Sequence, residues 1–351
     1  MLFTKKYFLL LIVTWGILGN NVTLAQNAKT NYNEQILNFK SNDKEIFGKL
    51  MIPTVYQGKL PTIVFVHGSG PEDYSSSDNY RYLWEEFTKI GFACYSWNRP
   101  GVGQSEGKWN EFSVEDRAKE VIDAVNKLKK VDIIDNSKIG FWGISQAGWV
   151  IPQVSKKLNP AFIITVSSPV TTAYIQELYR VESEMKVGGF SKKDIQEAIL
   201  YNQKLLKLIK EDKPYKWFSD LQKATENKIW ADYVIRGEEI VYSYLRIVFK
   251  KDSPPDLTRF TCPVLAIWGE NDLVVPPKKS FDIYKKSLQL TGNHNFTLKI
   301  IPNADHTLTL NLTGKRSETL KRREQYKNNP KEIFASGYVD LMSNWLKKLN
   351  N

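Results

Sequence analysis

The chain alternates short apolar runs with stretches of helical periodicity, and this rhythm constrains the fold more than any other feature of the sequence. The apolar runs read TIVFVHG, FACYSWN, KIGFWG, AFIITVSS, CPVLAIWG and FTLKIIP. Helical spacing lies between them, for example over residues 80–90, 114–130 and 277–288. Such alternation is typical of βαβ units. We therefore predict an α/β fold with a mostly parallel central sheet and helices on both faces.

A different pattern precedes the first of these runs. In ILNFKSNDKEIFGKLMIP, apolar and polar residues alternate on either side of Asn42 and Asp43. Alternation around a polar turn predicts an antiparallel hairpin.

The strand signals stop between residues 170 and 255. Apolar residues such as Ile195 and Ala198 recur there at helical spacing, and two consecutive prolines end the segment. Strand-like runs alternate with helical patterns again after residue 255, and the last predicted element is a helix that begins at Lys331. We predict one α/β domain, residues 26–169 and 256–351, that is interrupted by a helical cap over residues 170–255.

Residues 1–25 have the pattern of a secretory signal. Lys5 and Lys6 precede an apolar run, and Thr23-Leu24-Ala25 follows a short polar stretch. A membrane-spanning helix needs roughly 20 apolar residues, and this run is shorter. We expect cleavage near Ala25, an exported protein that is periplasmic or secreted, and no stable membrane span after cleavage.

The composition excludes several classes of protein. Hydrophobic residues make up 42% of the chain and charged residues 25%, which is ordinary for a globular protein. The formal net charge is +11, but the basic residues alternate with acids, as on solvated helix faces, and predict no nucleic-acid partner. The two cysteines, Cys94 and Cys262, lack the spacing of a metal site, and either one disulfide or two buried thiols would fit them. We predict no metal.

The string Gly143-Ile144-Ser145-Gln146-Ala147-Gly148 directly follows the apolar run KIGFW. A nucleophilic serine needs an exposed hydroxyl close to backbone donors, and a sharp turn from strand to helix supplies both. Such a turn is crowded, so it favours small residues two positions before and after the serine, here Gly143 and Ala147. An ordinary N-cap serine can give the same string. The partners of Ser145 must decide between the two interpretations.

A serine hydroxyl becomes a good nucleophile when a base, usually a histidine, takes its proton. The chain contains three histidines. His67 ends a strand before a glycine-rich turn, and His294 stands in a polar loop, which predicts a surface residue. His306 follows the last predicted strand, where a loop can bring it back over the edge of the sheet. We predict that His306 is the base.

The loop after CPVLAIWG supplies the candidate carboxylates. Loops that follow parallel strands gather at one end of a sheet, where Ser145 is also expected. Asp272 is the preferred partner of His306, while spacing alone leaves Glu270 as an alternative. Asp305 is interpreted as a loop residue, because adjacent side chains usually diverge.

The chain order Ser145, Asp272, His306, together with HGSG at a strand end, resembles the α/β-hydrolase superfamily. HGSGPEDY followed by SWNRPGVGQSEG is most similar to bacterial esterases and serine-peptidase-like members of that superfamily. The resemblance implies a Ser-His-Asp triad, no cofactor, and acyl transfer to water.

The resemblance also implies an oxyanion hole. Its donors would be the backbone amides of Gln146 and Ser69, with Gly70 as an alternative to Ser69, and His67 would be structural. Ala147 departs from the family pattern, in which glycine is commoner at this position.

We therefore expect a serine hydrolase that cleaves a carboxylic ester. An aminopeptidase, another peptidase or a thioesterase is the alternative, and a non-catalytic binding protein is the interpretation from a different class. The expected partner is a small-molecule ester or a short peptide, and the sequence leaves the oligomeric state open. For any single aromatic residue of the cap we expect packing of the cap onto the core, while the aromatics together are candidates for the lining of an apolar acyl pocket.

Overall fold

The structure is a computed structural model that describes residues 30–250 and 252–350. The predicted signal, residues 1–25, lies outside the described residues. The strands within the described part are β1 (Tyr32–Ile36), β2 (Phe39–Ser41), β3 (Lys44–Ile46), β4 (Gly48–Pro53), β5 (Leu60–Val66), β6 (Ala93–Trp97), β7 (Ile134–Ile144), β8 (Ile163–Val166), β9 (Val264–Gly269) and β10 (Phe296–Ile301). The helices are α1 (Arg81–Lys89), α2 (Val114–Leu128), α3 (Ala147–Val154), α4 (Ala173–Val187), α5 (Lys192–Lys210), α6 (Tyr215–Lys223), α7 (Glu239–Lys250), α8 (Pro277–Leu290), α9 (Arg316–Gln325) and α10 (Tyr338–Asn350).

The main sheet has eight strands in the order β1-β4-β6-β5-β7-β8-β9-β10. The pairings β1–β4 and β4–β6 are antiparallel, and every pairing from β6 through β10 is parallel. Strand β5 is buried over its whole length, as expected for a parallel strand covered on both faces. The prediction of a mostly parallel α/β sheet is confirmed.

Helices cover both faces of this sheet. Apolar residues of α2, α3 and α8 share one cluster with one face, and those of α1 and α10 share a second cluster with the other. Helix α2 shows how the sequence encodes this packing. Ser113 and Asp116 form a capping box at its start, and Val121 and Val125 lie buried on one stripe. Burial of each such side chain contributes about 1.5–3 kcal/mol.

The predicted hairpin is also confirmed. Strand β2 pairs with β3 antiparallel, and β1 pairs with β4 outside them. Asn42 and Asp43 at the turn have φ of 48° and 59°. Short polar residues tolerate this left-handed conformation, which tight hairpin turns require.

Residues 170–255, called the helical segment below, contain helices α4 to α7 and lie between β8 and β9. These two strands are neighbours in the sheet, so the chain leaves the sheet and returns beside its point of exit. The helices share an apolar cluster of their own, which includes Met185, Leu205 and Phe218. The division of the chain into a hydrolase core and a cap stays a prediction.

The closing helix begins later than the sequence suggested, at Tyr338 instead of Lys331. The Ile333 carbonyl accepts a hydrogen bond from the Leu310 N–H, and the Ala335 N–H donates to the Leu308 carbonyl. These bonds hold the chain against the loop that carries His306, and backbone groups engaged in this way cannot form a helical turn.

Cys94 and Cys262 are free thiols. Cys94 lies in β6 and Cys262 precedes β9, and three strands separate β6 from β9 in the sheet. At the usual strand spacing the two cysteines are roughly 19 Å apart. A disulfide needs Cα atoms within about 7 Å, so this fold excludes the pairing.

Among residues 30–250 and 252–350, no helix combines the length and the hydropathy that a membrane span requires.

Candidate active site

Ser145 occupies a sharp turn between β7 and α3. Its φ is 55°, in the left-handed region that a non-glycine residue rarely adopts. The Ser145 N–H donates to the Val166 carbonyl on the neighbouring strand, at 2.9 Å, and this bond holds the turn in register. A strained serine at this position is the geometry of a nucleophile elbow.

Steric crowding explains why the residues around Ser145 are small. A Cβ atom at Gly143 would lie 2.7 Å from the Cβ of Ala147, and one at Gly148 would lie 2.1 Å from Oγ of Ser168. Ala147 fits because the facing position, Gly143, has no side chain. The turn therefore accommodates alanine at position 147, where glycine is commoner in the family.

The structure brings together the three side chains that the sequence selected. Nε2 of His306 lies 3.0 Å from Oγ of Ser145, and Nδ1 lies 2.9 Å from Oδ2 of Asp272. The other oxygen of Asp272 accepts the N–H groups of Val274 and Val275, each at 2.8 Å. Both oxygens of the Asp272 carboxylate thus accept hydrogen bonds, and these bonds hold Asp272 against the imidazole.

The electrostatics favour a particular state of His306. The Asp272 carboxylate can only accept, so Nδ1 carries the proton and the lone pair of Nε2 faces the Ser145 hydroxyl. Burial opposes protonation of His306, but the negative charge of Asp272 and its hydrogen bond outweigh burial, with Asp305 adding to them. The pKa of His306 is therefore raised above its ordinary value of 6.5.

The loop that carries His306 is held over β9. A Cβ atom at Gly269 would lie 2.2 Å from the Asp305 carbonyl oxygen, so only glycine allows this approach. The Asp305 side chain accepts the N–H groups of Thr307 and Thr309 at 2.8 and 3.1 Å, which makes Asp305 a loop residue. Glu270 accepts the Asn303 N–H, at 3.1 Å. Asp272, and not Glu270, is the carboxylate hydrogen-bonded to His306.

The other two histidines lie in different settings. Nε2 of His67 is 2.6 Å from the Trp97 carbonyl oxygen, and Nδ1 is 3.2 Å from the Tyr80 hydroxyl. Burial, with a contribution from nearby arginines, lowers the pKa of His67 to about 3. His67 is therefore neutral near pH 7 and supports the loop after β5, while His294 is exposed.

The two residues predicted to form the oxyanion hole flank Ser145. Ser69 follows β5 and Gln146 follows Ser145 at the start of α3. Within the described residues, neither backbone N–H has a protein acceptor. The Gly70 carbonyl accepts from Arg99 at 3.4 Å, and Ser69 lines the cavity beside Ser145. The role of these amides stays a prediction.

The side chains around these two residues form contacts that sequence reasoning missed. The Tyr244 hydroxyl of α7 lies 3.1 Å from Oγ of Ser69 and 3.0 Å from Nε2 of Gln146. Arg117 of α2 donates to Oε1 of Gln146 and, at 2.6 Å, to the His67 carbonyl. Arg117 could have been noticed as a charged residue on the apolar stripe of α2, whereas nothing in the sequence distinguishes Tyr244 from the other tyrosines of the helical segment.

A second tyrosine of the helical segment also reaches the site. The Tyr179 hydroxyl of α4 donates to the backbone carbonyl of Asp272, at 3.1 Å. Hydroxyl groups of the helical segment thus contact both Asp272 and Ser69.

A cavity opens at Ser145 and His306. Its polar lining includes Glu72, Asn79 and Arg323, and the lining residues are Gly68, Ser69, Glu72, Ser76, Asn79, Tyr80, Leu83, Trp142, Ile144, Ser145, His306, Thr307, Arg323, Phe334 and Tyr338. These residues come from outside the helical segment, so the prediction that cap aromatics line the acyl pocket is wrong for this cavity. Several of those aromatics pack within the helical segment, as in the stacked pair Phe218 and Tyr242.

Within the described parts of the chain, no three His, Cys, Asp or Glu side chains lie together in a group that could hold a metal ion.

Comparisons with known proteins identify the family of this chain. The family model described as serine aminopeptidase, S33, matches residues 59–312, a range that includes Ser145, Asp272 and His306. The esterase EstD of Thermotoga maritima is 21% identical over 298 residues, with 84% of this chain and 62% of that protein covered. An uncharacterized 31.7 kDa protein of Escherichia coli is 21% identical over 207 residues, with 56% of this chain and 68% of that protein covered.

Solved structures share the fold. The Pyrococcus furiosus esterase Pf2001 superposes with a TM-score of 0.55 at 15% identity, covering 94% of this chain and 96% of that one. Est1E of Butyrivibrio proteoclasticus, with ferulic acid bound, gives a TM-score of 0.50 at 15% identity, covering 89% and 97%. Since the family model covers well over half of the sequence, the chain belongs to the serine aminopeptidase S33 family and is a serine hydrolase of the α/β-hydrolase fold.

Proposed function

We propose that this hydrolase is a carboxylesterase that acts on small esters through an acyl-enzyme on Ser145. The observation that carries the proposal is the unbroken hydrogen-bonded series from Ser145 through His306 to Asp272, with distances of 3.0 and 2.9 Å. This arrangement supplies a nucleophile, a base and a group that orients the base.

In the proposed mechanism, Oγ of Ser145 attacks the ester carbonyl carbon while Nε2 of His306 takes the hydroxyl proton. The Ser69 and Gln146 amides receive the negative charge on the carbonyl oxygen. The tetrahedral intermediate then collapses, and His306 gives its proton to the leaving alkoxide. Water, deprotonated by His306, releases the acid in a second round of the same steps. Asp272 keeps the imidazole oriented and stabilises its positive charge throughout.

An aminopeptidase is the second candidate, and the name of the family favours it. Its substrate carries a free ammonium group, which needs an anionic subsite. Glu72 lines the cavity, but burial raises its pKa to about 7. The Glu72 carboxyl group is also buried and already accepts from the Ser76 hydroxyl at 2.7 Å. An ester needs no anionic subsite, so it is the better-supported substrate.

A binding protein that has lost catalysis is supported less well. Ser145 is held at a φ of 55°, and strain of this kind persists where function requires it. A binding site needs neither the strained turn nor a base hydrogen-bonded to the serine.

The test combines covalent labelling with a substrate panel. A labelled fluorophosphonate is expected to modify the wild-type chain at Ser145 and to leave Ser145→Ala unmodified. Short acyl p-nitrophenyl esters are expected to be turned over faster than aminoacyl anilides or thioesters, and Ser145→Ala is expected to abolish turnover. Circular dichroism serves as the control for folding. Labelling of Ser145→Ala at wild-type rates would refute the proposed nucleophile, and a preference for aminoacyl anilides would favour the peptidase.

A further inference from the structure

A series of buried polar groups leads from Arg117 to the rim of the cavity. Arg117 contacts Gln146, Gln146 contacts Tyr244, and Tyr244 contacts Ser69. All four residues are buried. In such a setting each hydrogen that lacks an acceptor costs about 1–3 kcal/mol, so the direction of every bond can be worked out.

The first bond has only one direction. The Arg117 guanidinium has donors and no acceptor, so the Gln146 group that faces it must be the amide oxygen. The amide nitrogen of Gln146 therefore faces Tyr244 and donates to the Tyr244 oxygen, at 3.0 Å. Burial lowers the pKa of Arg117 only to about 9, and the guanidinium still carries its charge near neutral pH.

The remaining bond, between the Tyr244 and Ser69 hydroxyls, is 3.1 Å long and could run either way. The Tyr244 oxygen already accepts from Gln146, and within the described residues its hydrogen has Ser69 as its one acceptor. Donation from Tyr244 to Ser69 satisfies that hydrogen. The reverse direction would leave the Tyr244 hydrogen without an acceptor, and Tyr244 is not among the residues that line the cavity. The Ser69 hydroxyl borders the cavity, where water or a substrate can accept its hydrogen, so donation from Tyr244 is the less costly direction.

This order leaves the Ser69 hydroxyl hydrogen for another acceptor. Ser69 lines the cavity at Ser145 and His306, so rotation about its C–O bond can turn that hydrogen toward a carbonyl oxygen bound there. The Ser69 backbone N–H, on the same residue, has no protein acceptor among the described residues. The N–H and the hydroxyl of one serine can converge on a single oxygen when χ1 is gauche.

We propose that the Ser69 hydroxyl is a third oxyanion donor, and that Arg117, Gln146 and Tyr244 orient and polarise it. Hydrogen bonds that all run in one direction from a cation strengthen one another, and each makes the next hydroxyl a better donor. Ser69 is then a catalytic residue, because its hydroxyl touches the reacting oxygen. Tyr244 is a positioning residue that acts from the helical segment.

The inference rests on the proposed esterase function, and the experiment separates the two. Ser69→Ala keeps the backbone N–H and removes only the hydroxyl. With a p-nitrophenyl ester, we expect kcat to fall about 100-fold, the lower end of the loss for one oxyanion donor, while KM changes by less than about twofold. Ser69→Thr retains a hydroxyl and is expected to recover most of the activity.

Tyr244→Phe is expected to lower kcat by a smaller factor, because the hydroxyl remains but is no longer oriented. The double variant Ser69→Ala/Tyr244→Phe is expected to match Ser69→Ala, since Tyr244 acts through the Ser69 hydroxyl. Tyr242→Phe is the matched control. Tyr242 lies buried in the same helix, and its hydroxyl donates to the Lys213 carbonyl at 2.8 Å, away from the site. Its kcat should equal that of the wild type.

Two results would overturn the inference while the esterase function stands: wild-type kcat in Ser69→Ala, or single losses that multiply in the double variant. Absence of ester turnover by the wild-type chain would instead remove the proposed function, and the inference with it. Thermal melting of each variant identifies any loss that comes from unfolding.

Discussion

At the scale of single residues, the proposed mechanism depends on His306, which must be neutral to take the proton of Ser145. His306 is buried, yet Asp272 raises its pKa above 6.5. The other buried histidine, His67, has a pKa lowered to about 3 and carries no charge in the working range. Burial also raises the pKa of Glu72, which lines the cavity, to about 7. A fall in rate at low pH that persists in Glu72→Gln therefore reports His306.

We expect kcat/KM for an ester to fall as the pH drops through the raised pKa of His306, because protonation occupies the lone pair that takes the Ser145 proton. The midpoint should lie above 6.5. In Asp272→Asn the rate should fall about 10⁴-fold, because the amide no longer holds the proton on Nδ1. A pH–rate profile of the wild type and the variant checks both effects. A rate that stays flat from pH 5 to 9 would contradict the role of His306.

At the scale of elements, the turn from β7 to α3 is where the packing is tightest. Gly148 is the second residue of α3, and its Cα faces Ser168 and Pro169, which follow β8. The strained Ser145 is held from both sides, by the strand it leaves and by the neighbouring strand end.

Gly148→Ala should destabilise the fold, although alanine normally favours a helix by about 1 kcal/mol over glycine. The new Cβ would lie 2.1 Å from Oγ of Ser168 and 2.7 Å from Cδ of Pro169. Ser168 cannot turn away freely, since its hydroxyl accepts from Tyr284 at 2.6 Å. Overpacking of this kind costs about 1–3 kcal/mol in the free energy of unfolding, measurable by urea denaturation.

Gly68→Ala is the control for this prediction, because its new Cβ would lie 3.6 Å from the nearest atom, an ordinary contact. Equal stability of Gly148→Ala and the wild type would show that the end of β8 can move.

At the scale of the whole molecule, the sheet and the helical segment build the site together. The sheet aligns Ser145, Asp272 and His306 at the ends of its strands, while Tyr179 and Tyr244 reach them from the helical segment. Opening of the helical segment would break both tyrosine contacts, so its position and the geometry of the site are coupled.

The export of the whole molecule is a further proposal, which rests on the pattern of residues 1–25. The mature protein is expected to begin at Gln26 and to keep both cysteines as thiols, even in an oxidising compartment, because strands β5, β7 and β8 separate them. Intact mass after denaturing alkylation without reductant would show the shortened chain with two alkyl groups. A full-length chain would contradict cleavage, and a chain without alkyl groups would contradict free thiols.

Much of the fold and the hydrogen-bonded triad could be predicted from the sequence, for local reasons. The periodicity of α2 marks the one face that is buried, and the continuous apolar run of β5 is typical of a strand that is covered on both faces. Both patterns are visible within a few consecutive residues. Ser145, Asp272 and His306 each follow a recognisable strand, and parallel strands bring their carboxyl ends to one edge. The late start of α10 could not be foreseen, because it depends on backbone bonds to the His306 loop.

The sequence by itself determined the order of strands and helices, the hairpin turn at Asn42 and Asp43, and the strand ends near which Ser145, Asp272 and His306 lie. Only the tertiary structure decided that Asp272 and not Glu270 meets the imidazole, that the cysteines stay apart, and that Tyr244 meets Gln146, 98 residues away in the chain. The physical reason is the separation along the chain between the residues that interact. Periodicity encodes what each segment buries, whereas a contact between distant side chains depends on how all the layers pack at once.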